Sequence, residues 1–270
     1  MCSRLQQNSL LYLVGTAGSG KSTMVKSFQD WLGLRGLECV CCNLDPGVES
    51  LPYEPDVDIR DWVSLSEVMS EYGLGPNGAQ LAAADMIAGN IGEVREVVEG
   101  FKSDFVLVDT PGQLELFVFR PSGGVIVDGL GRQSAGVAYL VDPVLSQSPS
   151  GFVSQLLLSM SAMFRLNVPQ MNVLSKADFL EGIEKQDDEG CSMVERIVSW
   201  ADDPELLYAA LLEEDASMAR ELNEGVLRLL EGFGGYSRLL PVSREQLRGI
   251  DDMYAVVQQW FAGSSDVLKD

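Results

Sequence analysis

Gly15-Thr16-Ala17-Gly18-Ser19-Gly20-Lys21-Ser22 fits the spacing G-x-x-x-x-G-K-[ST], and the residues on either side decide how it is read. Upstream, residues 10–14 are an unbroken apolar run, the pattern of a strand buried on both faces. Downstream, residues 21–32 carry helical spacing and Gly33 and Gly36 close it. A glycine-rich turn from strand to helix aims backbone N–H groups inward, where phosphate oxygens are held, and the helix N-terminus adds a favourable dipole. In that setting Lys21 is placed to reach β- and γ-phosphates and the Ser22 hydroxyl to bind Mg²⁺, with Gly15, Gly18, Ser19, Gly20 and Thr23 lining the cradle. The bland alternative is a chance glycine-rich turn. Strand, glycines, Lys and Ser in the right order weigh against it.

The rest of the chain repeats the strand–helix rhythm. Strand-like runs occupy 39–44, 105–108, 136–141, 170–174 and 239–242. Helical stretches cover 65–72, 79–101, 152–166 and 250–261, with Gly73 to Gly78 as a loop between the first two. This predicts one α/β domain over 1–270, a mainly parallel sheet covered by helices on both faces. Residues 179–235 break the rhythm with helix formers only, and read as an acidic helical insertion: 181–224 holds 14 acidic and 3 basic residues. Such a stretch is ordinarily a solvated face; the sharper reading is a lid or a docking surface for a basic partner.

Composition narrows the chemistry. There are 40 Asp+Glu against 19 Lys+Arg, for a net charge of -21, so direct nucleic-acid binding is not expected. Without His, every Ser-His, Cys-His and His-metal mechanism is excluded. No run of about 18 apolar residues exists to span a membrane. The polar start, 1–7, and the tail, 267–270, carry no targeting signal, and 5 Cys is an odd count, so a reducing, cytoplasmic location is expected. Cys39 and Cys42 have C-x-x-C spacing, but strand alternation puts Cys39 and Cys41 on one face and Cys42 on the other, which suits small core residues better than a metal site. The helix at 152–166 has an apolar face of Leu156, Met160, Met163 and Phe164, suited to the core or to a dimer interface.

Further site candidates stand at strand ends, where parallel sheets carry ligands. Asp109-Thr110-Pro111-Gly112-Gln113 follows one strand. Asp109 is placed to hold Mg²⁺ through water and the Gly112 N–H to meet a γ-phosphate. Asp45, in Asn43-Leu44-Asp45-Pro46-Gly47, is a candidate to orient the attacking water or to hold the metal; its plainer role is an Asp-Pro-Gly turn. Ser175-Lys176-Ala177-Asp178 fits [NT]KxD with Ser in first place. The Asp178 carboxylate can accept from N1–H and N2–H₂ of guanine, a donor pair that adenine lacks, and the Lys176 stem can lie across the ring. Pro241-Val242-Ser243 would offer backbone N–H groups to the guanine O6, with Ser243 as the contact residue.

Jointly these motifs resemble the GPN-loop GTPase family, archaeal members most closely. The resemblance also rests on Leu51-Pro52-Tyr53-Glu54-Pro55, Asp58-Ile59-Arg60, Gly75-Pro76-Asn77 and Glu115, and runs over 11–178 in the family's order. It implies a P-loop NTPase fold, GTP/GDP and Mg²⁺ as ligands, and a homodimer in which Gly75-Pro76-Asn77 of one subunit enters the phosphate site of the other. Asn77 would then be catalytic in trans, with Asp45, Gln113 and Glu115 positioning the attacking water. Against this stands a local reading, since Pro-Asn-Gly before an alanine-rich helix is also a good turn. Eukaryotic relatives imply assembly or transport of RNA polymerase, hence a protein client. Two departures stand out. Thr16 replaces a frequent Pro, and 243–249 matches the family's base-contacting loop only at Ser243 and Gly249.

Three rivals frame the expectation. A kinase would need arginines over the transferred phosphoryl, and Arg60, Arg120 and Arg132 form no arginine-rich lid. An assembly chaperone would hold its nucleotide structurally. A metallochaperone would need His or a usable cysteine site.

Overall fold

The computed structural model describes residues 9–183, 191–214, 218–232, 238–244 and 247–262. The polar start and the tail lie outside these residues, as do 184–190, 215–217 and 233–237 of the acidic stretch and 245–246 of the loop after Ser243. Chain order is β1 (Ser9–Gly15), α1 (Lys21–Leu34), β2 (Cys39–Asn43), β3 (Val57–Asp58), α2 (Leu65–Tyr72), α3 (Pro76–Gly100), β4 (Phe105–Asp109), α4 (Leu114–Phe117), α5 (Pro121–Leu130), β5 (Ala135–Val141), α6 (Pro149–Leu166), β6 (Gln170–Leu174), α7 (Ala177–Ile183), α8 (Met193–Asp202), α9 (Pro204–Glu213), α10 (Met218–Gly232), β7 (Leu239–Pro241) and α11 (Ile250–Ala262).

The strands form one sheet in the order β3-β2-β4-β1-β5-β6-β7, and every pairing is parallel. Alternation along β1 explains its unbroken apolar run. Leu10, Tyr12 and Val14 enter one core while Leu11 and Leu13 enter the other. On the second face α1 packs through Met24, Val25, Phe28 and Leu32, and α11 through Ile250, Met253, Val257 and Phe261. Helices α2 to α10 contribute to the first face. Each fully buried Leu or Phe is worth roughly 1.5–3 kcal/mol relative to exposure, so both faces must be covered for the sheet to be stable. Cys41 sits in one core and Cys42 in the other, and Cys39, Cys41, Cys42 and Cys191 are free thiols. In α6, Phe152, Leu156 and Met160 are buried and Phe164 is exposed, so this apolar face belongs mainly to the core. Among the described residues no helix is long and apolar enough to cross a membrane.

Three departures from the sequence pattern have physical causes. The loop expected at 73–78 is shorter, because α3 starts at Pro76, a residue whose fixed φ suits the first helical turn. Gly33 lies inside α1, and Gly36, at φ +70°, makes the turn after it. The stretch after Gln113 forms α4 and α5 although Gly123, Gly124 and Gly129 are poor helix formers. Close packing selects two of them. A Cβ on Gly123 would stand 1.8 Å from the Phe117 carbonyl oxygen, and one on Gly129 2.6 Å from Ile91 of α3.

Candidate functional site

Strand register gathers the candidates. Asn43 pairs with Asp109, Gly15 with Leu140, and Leu174 with Val141 and Pro241, so the loops after β1, β2, β4, β6 and β7 leave the same edge of the sheet. Between the first of these loops lies a cleft of about 330 Å³ lined by Gly18, Gly20, Lys21, Ser22, Thr23, Asp45, Thr110, Gly112 and Lys176.

The loop before α1 is built for backbone approach. Gly18 and Gly20 have φ of +78° and +94°, in the left-handed region that side chains disfavour. A Cβ on Gly15 would stand 2.8 Å from the Leu140 carbonyl oxygen. Lys21 is 6% exposed and donates from Nζ to the carbonyl oxygens of Gly15 (2.9 Å), Thr16 (3.0 Å) and Gly112 (3.0 Å). Burial pushes its pKa down to about 8, and the charges of Asp109 and Asp45 only partly oppose this. Ser19 is buried with no hydrogen bond at its hydroxyl.

Asp109 ends β4 at 1% exposure. Its Oδ2 accepts from the Tyr53 hydroxyl at 2.9 Å, while Oδ1 is buried and makes no hydrogen bond of ordinary geometry. Burial pushes this carboxyl up to about 6, and the hydroxyls of Ser22 and Tyr53 and the Lys21 charge oppose the push. Asp45 is differently engaged. Its Oδ1 accepts from the Gly47 N–H and its Oδ2 from the Gly112 N–H, both at 2.9 Å. The Gly112 N–H expected to face a phosphate is therefore held by Asp45 here.

The Ser22 hydroxyl and the Asp109 carboxylate are hard oxygen donors, the kind Mg²⁺ takes. The buried Oδ1 of Asp109, without a hydrogen bond of ordinary geometry, marks the place, so the residues fit the cation. Among the described residues no group of three His, Cys, Asp or Glu is assembled to hold a metal. The remaining ligands would be phosphate oxygens and water, the usual arrangement for Mg²⁺. Asp45, with both oxygens engaged, fits the metal less well than Asp109.

The base motif is docked onto the phosphate loop. The Ser175 hydroxyl donates to the Ser19 carbonyl oxygen at 2.7 Å, and Lys176 Nζ to the Gly18 carbonyl oxygen at 2.7 Å. Lys176 takes φ +52°, turning the chain sharply between β6 and α7. Asp178 is half-buried and its Oδ1 has no hydrogen-bond partner. The loop after β7 is tied to this turn, for the Ala177 N–H donates to the Val242 carbonyl oxygen at 3.1 Å. In this structure Pro241 has no N–H, the Val242 N–H bonds the Leu174 carbonyl oxygen (2.9 Å) and the Ser243 N–H that of Arg248 (3.2 Å). These donors are engaged within the protein, and Ser243 is buried.

Other candidates do not line the cleft. Gln113 stands exposed as the residue before α4 without a capping hydrogen bond from its side chain, and Glu115 is exposed in the first turn of α4. Asn77 is exposed in the first turn of α3. Arg60 pairs with Asp58, Arg120 with Asp85 and Arg132 with Asp128, and none of the three arginines lines the cleft, against the kinase reading. Tyr53 was missed as a site residue. The Leu51-Pro52-Tyr53-Glu54-Pro55 motif contains it, but its contact with Asp109 spans 56 positions and leaves no local pattern.

Residues 13–263 match a family model described as "Conserved hypothetical ATP binding protein". The chain is 30% identical to GPN-loop GTPase 3 of Kluyveromyces lactis, over 92% of this chain and 91% of that protein. It is 31% identical to GPN-loop GTPase 3 of Gibberella zeae, over 82% and 81%. With GPN-loop GTPase 1 of Dictyostelium discoideum it shares 30% identity over 90% of this chain and 59% of that longer protein. Its fold is similar to the crystal structure of a GTPase in apo form from Pyrococcus abyssi, at TM-score 0.79, 29% identity and coverage of 93% of this chain and 97% of that one. The chain belongs to the GPN-loop GTPase family.

Proposed function

We propose that this member of the GPN-loop GTPase family binds GTP together with Mg²⁺ at the strand ends and hydrolyses it to GDP and phosphate. The observation that carries this reading is the docking of Ser175-Lys176-Ala177-Asp178 onto the phosphate loop through Ser19 and Gly18, which lets one nucleotide span both. The unpartnered Oδ1 of Asp178 supplies the acceptor that guanine satisfies and adenine leaves unpaired.

On this reading Lys21 gives up its three carbonyl partners for the β- and γ-phosphates. Ser22 and Asp109 would hold Mg²⁺, which when bound would neutralise phosphate charge. A γ-phosphate on the Gly112 N–H displaces Asp45, freeing a carboxylate to orient the attacking water. Gln113 and Glu115, next in sequence to Gly112, complete that positioning. Asn77, exposed in the single chain, serves the site of a second copy, making the protein a homodimeric switch without an arginine finger. A role in assembling a protein complex, with RNA polymerase the first client to test, and a cytoplasmic location follow from the family resemblance.

The trans arrangement has a direct test. Asn77→Ala and Asp45→Ala should each lose most GTP turnover. Mixed in equal amounts they should recover about a quarter of the wild-type rate, because half the dimers carry one intact composite site. A mixture no faster than the mean of the two variants would rule out action in trans.

A further inference from the structure

The hydroxyl of Tyr53 donates to Asp109 Oδ2 at 2.9 Å, and Oδ1, beside the Ser22 hydroxyl, makes no hydrogen bond of ordinary geometry. The segment that delivers Tyr53 is stiff. Pro52 and Pro55 bracket it, fixing their own φ and restricting the residues before them. Its far end is pinned to β2, since the Asp56 N–H donates to the Cys41 carbonyl oxygen (2.9 Å) and the Cys41 N–H to Asp56 Oδ2 (2.8 Å). Tyr53 is 6% exposed and its ring packs in the core beneath α1.

A neutral donor has a specific advantage here. It fixes the plane of the carboxylate and occupies one oxygen, yet adds no positive charge to repel a cation. Lys or Arg in its place would compete with the metal.

We infer that Tyr53 is a positioning residue, holding the Asp109 carboxylate so that Oδ1 is presented to Mg²⁺. This rests on the reading of Asp109 as a metal holder. Tyr53→Phe keeps the ring and removes the donor. Titration of Mg²⁺ into the protein–GDP complex by calorimetry should show affinity weakened about 10-fold or more, the usual effect of removing a partner of a metal ligand. GDP affinity measured in chelator should stay within about twofold of wild type, which separates loss of the metal from general damage to the nucleotide site. Unchanged Mg²⁺ affinity in Tyr53→Phe, with a loss in Asp109→Asn, would overturn the role of Tyr53 alone. Unchanged affinity in both variants would overturn the metal reading beneath it. Should Tyr53→Phe unfold, 3-fluorotyrosine at position 53 retains the hydroxyl; its ¹⁹F signal in the GDP complex should move on adding Mg²⁺, and a stationary signal would overturn the inference.

Discussion

At the scale of residues, the cleft is a set of charged groups held short of their proper partners. Burial lowers the pKa of Lys21 to about 8 and raises that of Asp109 to about 6, so both ionised forms are under-solvated. On the proposed reading a bound polyphosphate would restore the charge on Lys21. In the free protein the neutral fraction of Lys21 grows as pH rises through about 8. Nucleotide binding should therefore take up close to one proton near pH 9 and little near pH 7. Calorimetry in buffers of different ionisation enthalpy reads this directly, and equal uptake at both pH values would contradict it. The glycines are just as specific. Gly20→Ala puts a Cβ at φ +94° and 3.2 Å from Lys176 Cε, costing roughly 1–2 kcal/mol before any ligand contact is lost. Nucleotide affinity should fall about 10-fold or more, with thermal unfolding shifted by only a few degrees.

Helices and strands were legible to the extent that their pattern was local. The unbroken apolar runs of β1, β4 and β5 could only be strands covered on both faces. The glycine-rich turn before α1 carried its own chemistry. By contrast β3 has two residues, too few for any period, and exists because Cys42 and Asn43 offer it an edge. Helix α5 runs against propensity, and its glycines are explained only by what packs on them. Gly123→Ala should accordingly destabilise the fold, since the obstacle is the Phe117 backbone. Overpacking of this kind costs about 1–3 kcal/mol, and the melting temperature should fall about 2–4 °C per kcal/mol. An unchanged melting temperature would contradict the tight α4–α5 approach. The site divides along the same line. Lys21, Ser22, Asp109, Lys176 and Asp178 follow strands in short motifs that named them. The Tyr53–Asp109 bond and the Asp45–Gly112 bond join distant segments and needed the fold.

For the whole molecule, a charge of -21 sets the terms of self-association. Two such chains repel at long range, so a nucleotide-driven dimer must be held by short-range contacts. Sedimentation with a non-hydrolysable GTP analogue should show a dimer that tightens as salt rises from about 0.02 to 0.2 M, because screening removes the repulsion. A dimer that loosens over that range would mean that ion pairs dominate the interface. On the proposed reading the chain chooses guanine through Asp178. GDP and ADP should be titrated by calorimetry, with Mg²⁺, into wild type and Asp178→Asn. Wild type should bind GDP at least about 100-fold more tightly than ADP, and Asp178→Asn should lose most of that preference. Equal affinities, or a preference for ADP in wild type, would contradict the guanine site at Ser175-Lys176-Ala177-Asp178 and the GTPase reading with it.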